Sequence, residues 1–307
     1  MRLRRSGTVG AIVLVMAMVA GACGSGGGSK SSTDKAISIG SFNFGESEIL
    51  ANMYKGVLEK AGFTVTLKAK LGNREVVEPA LESGQVDLVP EYIGTSLEFL
   101  LKKANKTAGQ ASGDANATWD KLKTEYKTKK ITALNFSPAA DQNAFVVTKA
   151  TADKDNLKKT SDLAPLASGF VLGGPSECPT RPFCQPGLEA TYGLKFKSFA
   201  SLDAGGPLTK SALDSGAIQV GLLFSSDGSI AAKGYVVLED DKHLQTADNT
   251  VPVIRDDKVS DKATKALNKV SAALTSDKLA ALNKQVDVDK ADPAEVATTF
   301  LKDNKLI

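Results

Sequence analysis

Apolar and polar residues along the first third of the chain alternate between two periods. A short apolar run at 36–40 is typical of a strand, and over 49–61 the apolar positions recur at the spacing of a helix. Apolar and polar residues then alternate over 63–70, which indicates a half-buried strand. A second helix is predicted from Asn73 and a third strand at 86–89. This βαβαβ order predicts an α/β fold.

The same alternation continues towards the C-terminus. Further strands are predicted at 145–148, 170–173, 195–199 and 220–224, with a helix at 208–215. An apolar stripe over 263–274 predicts another helix, and Asp292 followed by Pro293 predicts the start of a last one. Pro79 should kink the second helix or delay its start.

The first 23 residues predict export. Arginines at positions 2, 4 and 5 precede an apolar run over 9–20, which is shorter than the roughly 20 residues of a membrane-spanning helix. This is the pattern of a signal peptide. The residues before Cys23 resemble a bacterial lipobox, whose cysteine is acylated; an ordinary secreted protein cleaved near Ala22 is the alternative. Because 24–35 has the composition of a flexible tether, we expect a lipid anchor on the extracytoplasmic face of the cell membrane.

The net charge argues against one class of partner. The chain has 38 basic and 35 acidic residues, a formal charge of +3. The three arginines of the predicted signal peptide account for that excess. A neutral mature chain lacks the basic surface that nucleic-acid binding requires, because phosphate neutralisation supplies most of that affinity. We therefore expect no nucleic-acid partner.

Two cysteines remain after Cys23. Cys178 and Cys184 lie close together in the sequence, and in an exported chain such a pair favours a disulfide. A zinc site is the competing interpretation, but two thiolates without a nearby histidine supply only half of a tetrahedral site. We predict a disulfide that fixes the conformation of the loop carrying Arg181.

Signatures of catalysis are missing from the sequence. A phosphate-binding loop would need glycines where Ala204 and Thr209 stand, and no G-x-S-x-G nucleophile elbow occurs. His243, the single histidine, lies in a polar stretch typical of the surface. We predict no enzyme activity, no cofactor and no metal. A secreted cleft enzyme using an acid or base such as Glu46 is the alternative from another class.

Three segments in order along the chain carry a resemblance to a known family. They are 40–50 (GSFNFGESEIL), 71–75 (LGNRE) and 87–95 (DLVPEYIGT). Together they are similar to the substrate-binding proteins of osmoprotectant ABC importers, the glycine betaine, carnitine and choline group. The similarity extends through 177–194 and 226–228.

The resemblance implies an architecture and a role. The fold would be a two-lobed type II periplasmic-binding-protein fold of the α/β class, with the ligand cleft between lobes that close by hinge motion. Lobe 1 would comprise 36–138 and 240–307, and lobe 2 would comprise 139–239. The protein would be a membrane-tethered monomer that binds a small molecule and delivers it to an ABC permease.

Matched position by position, the resemblance also implies ligand contacts. Tyr92 matches a tyrosine of the cage around a quaternary ammonium, Thr95 a polar contact and Arg181 an arginine that binds a carboxylate. Asn43 and Asn143 are further predicted contacts. A quaternary ammonium has no N–H to donate and is held by aromatic faces, whereas a planar guanidinium suits a carboxylate.

The chain departs from the family pattern at several of these positions. Phe42 stands where a lysine is usual, and Ala144 and Phe224 stand where tyrosines are usual. Phe42, Phe44 and Phe224 would build a different apolar box, unless they are core residues. The departures leave a bulkier, less charged or aromatic ligand as an alternative to a betaine.

Overall fold

Two separate sheets hold the strands of the computed structural model, which describes residues 35–307. The strands are β1 (Ala36–Phe42), β2 (Thr64–Gly72), β3 (Leu88–Tyr92), β4 (Ile131–Ala133), β5 (Asn143–Val147), β6 (Val171–Pro175), β7 (Ser198–Leu202), β8 (Val220–Phe224), β9 (Val236–Val237) and β10 (Thr250–Arg255). The predicted signal peptide with Cys23, and all but the last residue of the predicted tether, lie outside the described residues.

The two sheets share one arrangement of strands. Their orders are β2-β1-β3-β10-β4 and β7-β6-β8-β5-β9. In the first sheet β1 is parallel to β2 and β3, and β10 is antiparallel to β3. In the second sheet β6 is parallel to β7 and β8, and β5 is antiparallel to β8. The prediction of a two-lobed α/β fold is therefore confirmed.

Helices cover the sheets and complete the lobes. They are α1 (Gly45–Lys60), α2 (Arg74–Glu82), α3 (Ile93–Lys103), α4 (Ala115–Lys127), α5 (Lys149–Asp155), α6 (Gln185–Gly187), α7 (Pro207–Asp214), α8 (Ser229–Lys233), α9 (Asp261–Ala273), α10 (Ser276–Asp287) and α11 (Pro293–Asp303). The apolar face of α1, including Ile49, Met53 and Val57, is buried against α9, α10 and α11. The C-terminal helices thus belong to the lobe of the first sheet. Among the described residues, no helix has the length and apolar character needed to cross a membrane.

Two chain segments run side by side between the lobes. The segment before β5 and the segment before β10 form an antiparallel bridge between Ala140 and Asn249. The backbone N–H of Asp141 donates to the carbonyl of Asp248 over 3.0 Å. Paired crossing segments of this kind allow two lobes to rotate against each other as rigid bodies. They also place Asp141 and Asp248 next to each other at the base of the cleft.

Some elements differ from the sequence predictions. Helix α2 begins at Arg74 and continues through Pro79, so the proline does not delay its start. Strand β7 begins at Ser198 rather than at 195, because the N–H of Lys197 donates to the carbonyls of Ala167 and Phe170 in the turn before β6. Strand β10 was not predicted, since Pro252 interrupts its pattern; a proline is rarely found inside a sheet.

Candidate ligand-binding site between the lobes

A cavity of about 580 Å³ lies between the two lobes. This volume is within the range of small-molecule sites, which is roughly 300–1,000 Å³. The first lobe contributes Phe42, Asn43, Phe44, Asn73, Arg74, Glu75, Pro79, Tyr92, Thr95, Glu98, Phe99, Lys102 and Lys103. The second lobe contributes Asn143, Pro175, Glu177, Cys178, Thr180, Arg181, Pro182, Phe183, Cys184, Ala204, Leu222 and Phe224, and the crossing segments contribute Asp141 and Asp248. All eight predicted contact residues therefore line one cavity.

Four aromatic rings form one wall of the cavity. Phe42, Tyr92 and Phe224 end strands β1, β3 and β8, and Phe44 lies directly before α1. The ring centroid of Phe44 lies 5.8 Å from that of Phe42, 6.3 Å from that of Tyr92 and 5.4 Å from that of Phe224. Because ligands bind beyond the carboxyl ends of parallel strands in such sheets, the topology itself gathers these rings. Their faces offer the negative potential that attracts a cation.

The hydroxyl of Tyr92 is held by a buried carboxyl group. It donates a 2.6 Å hydrogen bond to Glu46 Oε1, while the other oxygen of Glu46 accepts from Ser226 Oγ and Asn283 Nδ2. Burial raises the pKa of Glu46, and the donors from Ser226 and Tyr92 oppose that rise. Since Ser226 follows β8, this network links the two lobes.

Arg74 organises the first lobe beneath the rings. Its guanidinium forms a buried ion pair with Glu91, with contacts of 2.8 and 2.9 Å, and donates to Thr95 Oγ1 over 3.0 Å. It also lies over the ring of Phe42, 5.4 Å from the centroid. Thr95 thus lines the cavity as predicted, but its hydroxyl oxygen already accepts a hydrogen bond. Arg74 itself was not among the predicted site residues.

Arg181 reaches from the second lobe to the first. Its guanidinium donates to both carboxylate oxygens of Glu75, at 3.2 and 2.8 Å, and lies over the ring of Phe99. Burial lowers the pKa of Arg181, as does the positive charge of Arg74. The carboxylate that Arg181 meets in this structure belongs to the protein. Its predicted contact with a ligand carboxylate stays a prediction.

The loop that carries Arg181 is fixed at several points. The Sγ atoms of Cys178 and Cys184 are bonded to each other. Asn143 Nδ2 donates to the carbonyl of Phe183 over 3.0 Å, so this predicted contact residue also supports the loop. Across the cleft, Lys102 Nζ donates to the carbonyl of Thr180 over 2.8 Å.

Two buried carboxyl groups face the cavity from the crossing segments. Asp141 and Asp248 are each 5% exposed. Asp141 Oδ1 accepts from the N–H of Ser226, and Asp248 Oδ1 accepts from the N–H groups of Gly94 and Thr95 at the start of α3. Burial raises the pKa of Asp141 well above its usual range and that of Asp248 to about 7.

Sequence reasoning missed the acidic residues of the site. Asp141 lies two residues before the predicted contact Asn143 but was not itself predicted, and Asp248 belongs to no motif. Glu75 could have been predicted as a site residue, because it lies in the family-like segment 71–75. Nothing in the sequence, however, indicates that it pairs with Arg181. Glu46, the candidate acid or base of an enzyme, does not line this cavity; it lines a neighbouring one of about 320 Å³.

Comparison with known proteins agrees with this geometry. Residues 35–303 match the family model described as the substrate binding domain of the ABC-type glycine betaine transport system. The glycine betaine-binding protein YehZ of Escherichia coli is 29% identical over 276 residues, covering 87% of this chain and 90% of YehZ. The carnitine transport binding protein OpuCC of Listeria monocytogenes is 26% identical over 289 residues, covering 92% of this chain and 89% of OpuCC.

A solved structure shows the same architecture. The crystal structure of a glycine betaine/carnitine/choline ABC transporter protein has a TM-score of 0.69 and 27% identity, covering 88% of this chain and 99% of that chain. Proteins of this kind are extracytoplasmic solute receptors that work with an ABC permease, and they are not a family of enzymes. The chain belongs to the family of substrate-binding domains of ABC-type glycine betaine transport systems.

Proposed function

We propose that this receptor captures a small osmoprotectant with a quaternary ammonium group, glycine betaine being the family example, and delivers it to an ABC permease. The observation that carries the proposal is the aromatic wall of the cavity, built by Phe42, Phe44, Tyr92 and Phe224. Each ring face contributes about 0.5–2 kcal/mol to the binding of a cation. Asn43 and the hydroxyl of Thr95 supply polar contacts at the edge of the rings.

Capture requires the lobes to open and close. We infer that 36–138 with 240–307 move as one lobe and 139–239 as the other. The contacts of Glu46 with Ser226 and of Glu75 with Arg181 join the two parts, and opening would break them. The ligand would enter from solvent in the open form and lose its water on closure, which strengthens its electrostatic interactions.

We also infer a membrane anchor through an acylated Cys23. The support is the lipobox-like sequence that ends at this residue and the glycine- and serine-rich stretch behind it. In the native host, the wild-type protein should label with radioactive palmitate and sediment with membranes. Cys23→Ser should lose the label and appear in the soluble exported fraction; a labelled variant would contradict the anchor.

Titration calorimetry on residues 24–307 tests the ligand class. We expect glycine betaine, carnitine or choline to bind, and sugars and amino acids to give no heat. Tyr92→Leu and Phe224→Leu should weaken binding, whereas Phe300→Leu, a buried ring that does not line the cavity, should not. Binding of another compound class with silence from every quaternary ammonium would overturn the proposal.

Two alternatives give different results in the same experiment. The first alternative is a receptor for a non-betaine, aromatic or less charged ligand, which Phe42 in place of the usual lysine favours. Such a receptor would bind that compound without converting it. A secreted enzyme would convert its ligand, so that NMR of the mixture would show a product that Glu46→Gln fails to form. We expect the ligand to be recovered intact.

A further inference from the structure

The positive groups that line the cavity are all engaged by the protein. Arg74 is paired with Glu91, and Arg181 with Glu75. Lys102 donates a hydrogen bond to a backbone carbonyl of the opposite lobe, and Lys103 forms an ion pair with Glu82. A ligand carboxylate would have to displace one of these partners before it could bind a cationic side chain.

Within the described part of the chain, the two acidic groups at the base of the cavity, Asp141 and Asp248, have no ion-pair partner of this kind. Among residues 35–307, no lysine or arginine forms an ion pair with Asp141 or Asp248. In that same part of the chain, Asp141 Oδ2 accepts no hydrogen bond. Asp141 is only 5% exposed and is one of the residues that line the cavity. A buried carboxylate without a cation is costly, because burial disfavours its charged form.

Resting on the function proposed above, we propose that Asp141 and Asp248 make the site selective for quaternary ammonium solutes of net positive charge, such as choline, over zwitterionic betaines. The aromatic wall holds the methylated head group, and the two carboxylates compensate its charge from the base of the cleft. A ligand of net positive charge supplies the counter-charge that these two groups lack, whereas the carboxylate of a zwitterion cancels its own cation and adds no net charge. That carboxylate would also find the cationic side chains of the cavity already paired.

The raised pKa values of Asp141 and Asp248 support this assignment. Burial is the main cause for both groups, and Glu46 adds to the rise at Asp141. Arg74 and the N–H groups of Thr95 and Gly94 lower the pKa of Asp248, but burial outweighs them. A bound cation supplies the missing opposite charge and favours the ionised form of both aspartates.

Calorimetry with three ligands of matched shape tests the proposal. Choline, glycine betaine and the neutral analogue of choline with carbon in place of nitrogen are titrated into residues 24–307. We expect choline to bind at least about tenfold more tightly than either of the other two. If choline, glycine betaine and carnitine all fail to bind, the proposed function fails. If glycine betaine binds as tightly as choline or more tightly, only the charge selectivity fails.

A charge-removing variant assigns the effect to the acidic pair. Asp141→Asn keeps an acceptor for the N–H of Ser226, and we expect it to weaken choline about tenfold or more while glycine betaine binds equally or more tightly. Asp248→Asn, which still offers an acceptor to the start of α3, is the second variant. Asp114→Asn, at the start of α4 outside the cavity, is the control. Equal weakening of both ligands would overturn the assignment.

Discussion

Replacing Tyr92 with phenylalanine removes one hydroxyl and leaves the ring in the cavity wall. The hydroxyl donates to Glu46 over 2.6 Å, and both residues are buried in the first lobe. Because the two residues lie in the same lobe, the bond between them does not depend on lobe closure. Tyr92→Phe should therefore lower the free energy of unfolding and leave ligand affinity nearly unchanged.

The size of the stability loss follows from the surroundings of Glu46. After the substitution, Glu46 keeps donors from Ser226 and Asn283 only, both at its other oxygen. A hydrogen bond to a charged group contributes about 1.5–3 kcal/mol and a neutral one about 0.5–1.5 kcal/mol. Burial raises the pKa of Glu46, which favours its neutral form, so we expect a loss of about 1.5 kcal/mol. The melting temperature should fall by about 3–6 °C.

Urea unfolding measures the stability and calorimetry measures the affinity of the same samples. Tyr92→Leu should show a larger loss of stability, because buried packing is also removed, and an additional loss of affinity of about two- to thirtyfold, because the ring is removed. Tyr126 is the matched control: its hydroxyl donates to the buried Glu78, yet it does not line the cavity. Both Tyr126→Phe and Tyr126→Leu should destabilise the chain without weakening binding. The reasoning is refuted if Tyr92→Phe is as stable as the wild type or binds as weakly as Tyr92→Leu.

Three further predictions concern charge, pH and the disulfide. Glu75→Gln removes the carboxylate that pairs with Arg181, so glycine betaine should bind more tightly in calorimetry while choline affinity changes less than about twofold. An unchanged betaine affinity would contradict the idea that Glu75 keeps the guanidinium of Arg181 from the ligand. Burial raises the pKa of Asp248 from 3.8 to about 7, so its contribution to stability is complete below about pH 4 and is lost as the pH rises through about 7. Urea unfolding of the ligand-free protein should accordingly show a lower free energy at about pH 8 than at about pH 5, and the opposite trend would contradict this. Replacing Cys178 and Cys184 together with serine should cost about 2 kcal/mol by the chain-entropy relation for so short a loop, measured by denaturant unfolding; reductant should then have no further effect.

Local sequence patterns predicted the strands and the ring positions better than the partners of each side chain. Phe42 and Tyr92 lie at strand ends within short family-like segments, and their place at the cavity follows from the parallel pairing of β1 with β3. The partner of Arg181 is a glutamate more than a hundred residues earlier, on the other lobe, and no local pattern encodes that pairing. No local pattern encodes the contact between Asp141 and Asp248 either, because the two residues become neighbours only when the crossing segments align.

The paired crossing segments also bear on the order in which the chain folds. The second lobe lies within one continuous stretch of chain, whereas the first sheet needs β10, whose Thr250 pairs with Tyr92 from far earlier. Pairings of such high sequence separation form slowly, because the loop between them must first be closed. A folded second lobe holds Asp141 against Asp248 and so brings β10 towards β3 before the first sheet is complete. Pulse-labelled hydrogen exchange should find the amides of β8 protected before those of β10.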